Sequence, residues 1–263
     1  MSENNEMLTF GGHLEVLRKM LFRVLAVAGV IAVAVFCFKD ATFRLLLAPG
    51  EYDFCTYRWI ERLIQLCGYD FHFSEYHIDL IATDLSSQFM THITTSCILG
   101  LLGASPYILY ELFKFVSPAL YENERRYSVR IVISIYILFV AGVLMSYFVL
   151  FPISFRFLGT YSVAAKVHST ITLDSYISTF TTLTFVMGVV FQLPIIAFIL
   201  GKMEIVTSEM LGRFRRHAFL VICLVAAIIT PPDIMTLIVV AIPLYLLYEF
   251  SIRIVKRVER SID

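Results

Sequence analysis

An all-α membrane protein with six transmembrane helices is the fold class this sequence predicts, and three observations carry the prediction. Of 263 residues, 59% are hydrophobic and 16% charged, and the mean hydropathy is +0.80, beyond the range of a water-soluble domain. Apolar runs recur at about 20–38, 89–113, 129–157, 179–201, 214–230 and 234–251. Lys and Arg are shared unevenly among the segments between those runs. A helix rises about 1.5 Å per residue and the hydrocarbon core is about 30 Å thick, so roughly 20 residues cross it. The first four runs meet that length. The last two, at 17 and 18 residues, predict short spans that thin the bilayer or are covered by partners. Pro231-Pro232 makes the turn between them tight, and a single re-entrant hairpin is the rival reading.

Charge sets the orientation. With the N-terminus inside, the inner segments hold 15 of the 21 Lys and Arg, and the outer segments hold 6. That bias places both termini in the cytoplasm. The formal net charge of zero is the sum of two oppositely biased faces and gives no sign of a nucleic-acid partner. One integral membrane domain, 1–263, is expected, without internal repeats or linkers.

Taken in order, residues 1–19 form a cytoplasmic N-terminal segment. The run after them is too long for an ordinary signal-peptide core and reads as a permanent anchor. Residues 39–88 form an outer cap rich in Tyr, Phe and Trp, residues that favour the headgroup level. Within the cap, Tyr57–Leu66 reads as an amphipathic helix, and Thr83 or Asp84 as the cap of the second span. If that helix runs unbroken, Cys55 and Cys67 lie about 18 Å apart along its axis, too far for a disulfide. The first cytoplasmic loop is 116–128, the second 202–213, and the tail 252–263. Between the last two spans, Thr230 reads as an N-cap, Pro231 as the first helical residue and Asp233 as its N3 partner, a capping box.

The first cytoplasmic loop carries the chemistry. Ser117-Pro118-Ala119-Leu120-Tyr121-Glu122-Asn123-Glu124-Arg125-Arg126 sets two carboxylates on the face that collects Lys and Arg. A guanidinium offers a planar fork that a carboxylate accepts with both oxygens, and Lys lacks that fork. Two adjacent arginines in an extended peptide point apart, so two separated carboxylates suit them better than one. The competing reading pairs Glu124 with Arg125, Arg126 or Arg130, or makes it a loop cap; Glu122 reads as a solvated charge. Glu111 either joins the acidic patch or pairs with Lys114 at i+3. Gln192, just before Pro194 in an apolar run, either bonds a partner helix or satisfies Thr181, Thr184 or freed backbone. Tyr147 reads as an interfacial anchor.

Catalysis finds little support. The six histidines, at 13, 72, 77, 92, 168 and 217, show no metal-ligand spacing, and Gly103-Ala104-Ser105-Pro106 is not a nucleophilic serine motif. No phosphate-binding loop is present. A non-enzyme without cofactor or metal is expected.

Several motifs, read together, resemble one family. Phe10-Gly11-Gly12-His13-Leu14-Glu15-Val16-Leu17-Arg18-Lys19 is similar to HLxELRxR, and Ala82-Thr83-Asp84 precedes span two. Pro106–Phe115 leads into SPALYENERR, Tyr147-Phe148-Val149-Leu150-Phe151-Pro152 closes span three, and Thr230-Pro231-Pro232-Asp233 joins spans five and six. In order and spacing these resemble TatC, the multispanning receptor subunit of the twin-arginine protein translocase, from residue 10 to 252. The resemblance implies a concave six-helix receptor in the inner membrane. It would bind signal peptides with consecutive arginines and, with single-span TatA- and TatB-like partners and copies of itself, export folded proteins on the proton-motive force. It implies Glu124, Arg126 and Phe115 as peptide-binding positions, with Arg18 and Glu111 beside them. The motif's second acid is replaced by Val16; Glu15 is the carboxylate that stands in, about 100° around the helix. Gln192, Tyr147, Asp233 and Pro49 are implied as contacts to partner helices, Pro49 from the outer side. A six-span solute transporter and a structural membrane scaffold remain the alternatives, the first expected to show internal pseudo-symmetry.

Overall fold

Backbone in lipid has no water to bond, so the apolar runs close their hydrogen bonds within helices. The computed structural model describes residues 10–69, 79–116, 128–162, 170–230 and 233–262. Four stretches are long and apolar enough to cross a membrane alone: Leu14–Cys37, Ile131–Thr160, Leu173–Lys202 and Ile234–Arg260. They belong to α1 (Phe10–Cys37), to α6 (Ser128–Met145) with α7 (Phe151–Thr160), to α8 (Leu173–Val190) with α9 (Leu193–Lys202), and to α12 (Ile234–Ile262). The second span is a bent pair, α4 (Ser87–Gly103) and α5 (Ser105–Val116), whose axes meet at 49°. The fifth is α11 (Arg215–Ile229), whose 15 residues reach only about 22 Å.

The predicted count of six holds, and three local expectations do not. The 234–251 run is not a short span, because α12 continues for 29 residues. Its tail is amphipathic: Ile252, Val255 and Val258 are buried while charged residues alternate with them, so it packs against the 193–213 segment as helix rather than hanging free. Span two starts after Ser86, with no side-chain cap; Ser87 N donates instead to Asp84 O (3.1 Å) in a turn. The turn before α12 is also shifted. The helix begins at Ile234, and Asp233 is itself the cap, accepting from Thr236 N at 2.6 Å; an aspartate is as good a cap as the threonine the motif offered. Thr230 ends α11 and donates to Ala226 O at 2.9 Å.

Prolines mark the breaks. Pro106 and Pro194 stand in the first turns of α5 and α9 and remove an N–H from each ladder. Between α6 and α7, Ser146–Leu150 forms a π-helical turn. Small residues let spans approach closely: a Cβ added at Gly142 would lie 2.5 Å from Met187 O on α8, and one at Gly100 would lie 2.6 Å from the Ala32 Cβ on α1.

One end of the bundle carries a cap, comprising α2 (Lys39–Leu47), the short 3₁₀ turn Ala48–Gly50 and α3 (Cys55–Leu66). Leu80–Ile81 adds a parallel pairing with Ile171–Thr172. The cap is tied down at carbonyls next to prolines. Leu45 O, four residues before Pro49, accepts from the Tyr147 hydroxyl at 2.8 Å. Phe148 O, four residues before Pro152, accepts from Thr56, and Pro152 O accepts from Tyr57 at 2.8 Å. Beneath the cap, Leu46, Phe151, Phe155, Tyr176 and Phe180 form the largest buried cluster, which continues through Met187, Val240 and Leu244. All five cysteines are free; α3 runs unbroken from Cys55 to Leu66, as the separation of Cys55 and Cys67 required.

Candidate functional site

The opposite end holds the start of α1 and the end of α12, and three clusters of polar side chains organise it. The first joins α1 to α5. Glu111 is buried, and its Oε2 accepts from Arg23 Nη2 at 3.2 Å while its Oε1 accepts from the Tyr107 hydroxyl at 2.9 Å. A carboxylate taken out of water costs several kcal/mol unless paired and hydrogen-bonded; here both oxygens are engaged. The site reading of the sequence missed Arg23 and Tyr107. Tyr107 sits four residues before Glu111, the spacing that places two side chains on one helix face. Arg23 gave a fainter signal, a lone cation one turn inside an apolar run.

The second cluster borders an open hollow of about 710 Å³ along one face of α1, lined by Leu14, Glu15, Arg18, Lys19, Phe22 and Arg23. The i, i+4 recurrence along a helix aligns these side chains. Glu15 lies 2.7 Å from Lys19 Nζ, both well exposed, a pairing worth about 0–1 kcal/mol. The Arg18 guanidinium rests 5.9 Å from the Phe22 ring centroid. Glu15 rather than Val16 turns toward this hollow, so the 100° offset directs the carboxylate into it.

The third cluster staples the ends of α11 and α12. Arg215 meets Glu249 with two prongs, Nε to Oε1 at 2.9 Å and Nη2 to Oε2 at 3.0 Å. Glu259 accepts from Ser208 N at 2.6 Å at the start of α10 (Ser208–Arg213), and Tyr248 donates to Leu211 O at 2.7 Å. These carboxylates are consumed within the fold.

The structure therefore brings Glu15, Arg18 and Glu111 to one end, with Arg23 linking the hollow to the buried carboxylate. Glu124 and Arg126 lie outside the described residues. Phe115 occupies the last turn of α5, directly before the loop that contains them. The other four positions are distributed differently. Pro49, in the 3₁₀ turn of the cap, is fully buried, and its carbonyl lies 3.4 Å from the Tyr57 hydroxyl. Tyr147 is held by Leu45 O and stands edge-on to Phe180. Asp233 caps α12 with one oxygen, and its Oδ2 is buried without a partner. Gln192 sits at the α8–α9 break. Its Nε2 donates to Ile135 O and Gly188 O, each at 3.3 Å, rather than to Thr181 or Thr184, and its Oε1 is buried without a partner.

Comparison with known proteins agrees with the architecture. The family model for the Sec-independent protein translocase protein (TatC) matches residues 12–243. The TatC protein of Blattabacterium sp. subsp. Periplaneta americana is 35% identical over 257 residues, covering 96% of this chain and 96% of that protein. TatCy of Bacillus subtilis is 36% identical over 184 residues, 70% of this chain and 72% of the relative. A solved structure of the twin arginine translocase receptor TatC superposes with a TM-score of 0.75 at 29% identity, covering 94% of this chain and 99% of that one. A helical bundle with six spans, one of them bent and one short, capped at one end and charged at the other, and alike from end to end to these proteins, places the chain in the TatC family of Sec-independent protein translocase proteins.

Proposed function

We propose that this chain is the receptor and core subunit of a twin-arginine translocase. The observation that carries the reading is the end-to-end correspondence with a solved translocase receptor. The chain lies in the inner membrane with both termini in the cytoplasm, an orientation supported by the 15 of 21 Lys and Arg assigned to that face. The arginine pair of a signal peptide docks between the first cytoplasmic loop, through Glu124 with Arg126 and Phe115 beside it, and the N-terminal segment, through Glu15 and Arg18. Glu111 supplies a further carboxylate behind them. Partial desolvation at the headgroup level raises these contacts above the small worth of exposed pairs. The peptide's apolar stretch then lies along the helices, and the occupied receptor recruits single-span TatA- and TatB-like subunits and further copies of itself. The chain carries out no bond chemistry; the proton-motive force drives transport.

Photoreactive signal peptides in native membranes test this. A twin-arginine peptide should form adducts at residues around Glu124 and on the 14–23 face, and a twin-lysine peptide should lose them. Equal labelling by both would reduce the interaction to general membrane affinity.

Gln192 suits the partner contact in this scheme as a part-buried amide at the α8–α9 break, whose Nε2 reaches Ile135 O and Gly188 O only at 3.3 Å. Replacing it by Leu should weaken recovery of single-span subunits in detergent pull-downs several-fold, an interhelical hydrogen bond in membranes contributing about 0.6–2 kcal/mol. Peptide binding should change less; the reverse order would reassign the residue.

A further inference from the structure

We infer that Arg23 is an internal substitute for an incoming arginine: it occupies the Glu111 carboxylate until a guanidinium of the peptide displaces it. This deepens the function proposed above and rests on that reading. Three observations carry it.

Glu111 is buried, and while ionised it needs a cation beside it, since an unpaired carboxylate in a low-dielectric site is strongly unfavourable. Its present cation is loosely held. Arg23 reaches Oε2 through one nitrogen at 3.2 Å, although a guanidinium has five N–H donors in a fork suited to two-pronged pairing. The contrast within this same end of the molecule is direct, because Arg215 engages Glu249 with both prongs at 2.9 and 3.0 Å. The Arg215 pair is a staple, whereas the Arg23 pair is a single contact that a better-aligned guanidinium would outcompete.

The exposures of the two partners differ in the same sense. The side chain of Arg23 is 51% exposed and that of Glu111 only 6%, so the cation can swing away while the acid cannot. Arg23 also lines the 710 Å³ hollow together with Phe22 and Arg18. Displaced Arg23 therefore has open space to move into. Tyr107 remains on Oε1 throughout, holding the carboxylate in place while its other oxygen changes partner. In the resting receptor this exchange suppresses binding of lone cations at Glu111, because a ligand there must first displace an arginine.

A fluorescent twin-arginine signal peptide titrated into the full chain in lipid nanodiscs tests the exchange. R23Q removes the competitor and should bind the peptide up to about fivefold more tightly, the factor that matches a half-exposed ion pair. E111Q should bind it more weakly. The charge swap R23E/E111R restores a pair but reverses the acceptor, and should bind no better than E111Q. Unchanged or weaker binding by R23Q, or wild-type affinity in the charge swap, would make the pair a fixed strut and overturn the inference. If R23Q fails to accumulate, R23K takes its place: it keeps the cation without the fork, so it should still gain affinity, and no gain overturns the inference. E124Q separates this from the reading beneath it. If E124Q loses the preference for arginine over lysine while R23Q shows no gain, only the exchange fails; if E124Q keeps that preference, the assignment of the loop fails.

Discussion

Replacing Glu124 by Ala should abolish export of twin-arginine cargo while the protein still inserts and accumulates in the membrane. On the function proposed above Glu124 grips the peptide, so the substitution removes a ligand contact. Hydrogen bonds to charged groups contribute about 1.5–3 kcal/mol when partly shielded from water. Peptide affinity should then fall roughly ten- to a hundredfold, enough to stop transport where cargo is scarce. Export of a folded reporter, scored beside protease accessibility of the loops, checks both halves of the expectation. Near-normal export with intact insertion would contradict the role given to Glu124.

The second large effect is structural. Gly142→Val should strip folded protein from the membrane or lower its unfolding temperature sharply in detergent. The Cβ would sit 2.5 Å from Met187 O and 2.9 Å from the Phe191 ring, and neither backbone nor a packed ring yields cheaply. Overpacking of this kind costs about 1–3 kcal/mol, occasionally more, and here it falls on the seam between spans three and four that also positions Gln192 against Ile135 O. Gly29→Val is the matched control, since nothing lies within 4 Å of a Cβ there; it should leave stability almost unchanged. Equal behaviour of the two variants would mean that the α6–α8 seam is looser than described.

What could be read from the sequence follows from what is local. Six apolar runs, the cap helix around Trp59 and the charge bias depend on composition and periodicity, and each span appears where its run lies. The short fifth span was legible because 17 apolar residues cannot reach across a bilayer. The sixth misled because hydropathy drops at Arg253, whereas the helix persists on the strength of Ile252, Val255 and Val258, which bury only once α9 is beside them. The capping box was misplaced because Asp233 itself takes the cap, three residues after the Thr230 to which the motif's spacing gave that role. The Arg23–Glu111 pair was beyond reach, since it joins residues 88 apart in sequence and only the packing of α1 against α5 makes them neighbours. Gln192 was correctly marked as a polar group in lipid, but its acceptors on α6 and α8 depend on the break at Pro194.

The measurement that bears most directly on the central claim is the equilibrium affinity of one signal peptide in two forms, twin-arginine and twin-lysine, for the purified chain in nanodiscs. The arginine form should bind about tenfold or more tightly, and the difference should disappear when Glu124 is replaced. Equal affinities for the two forms would contradict that claim.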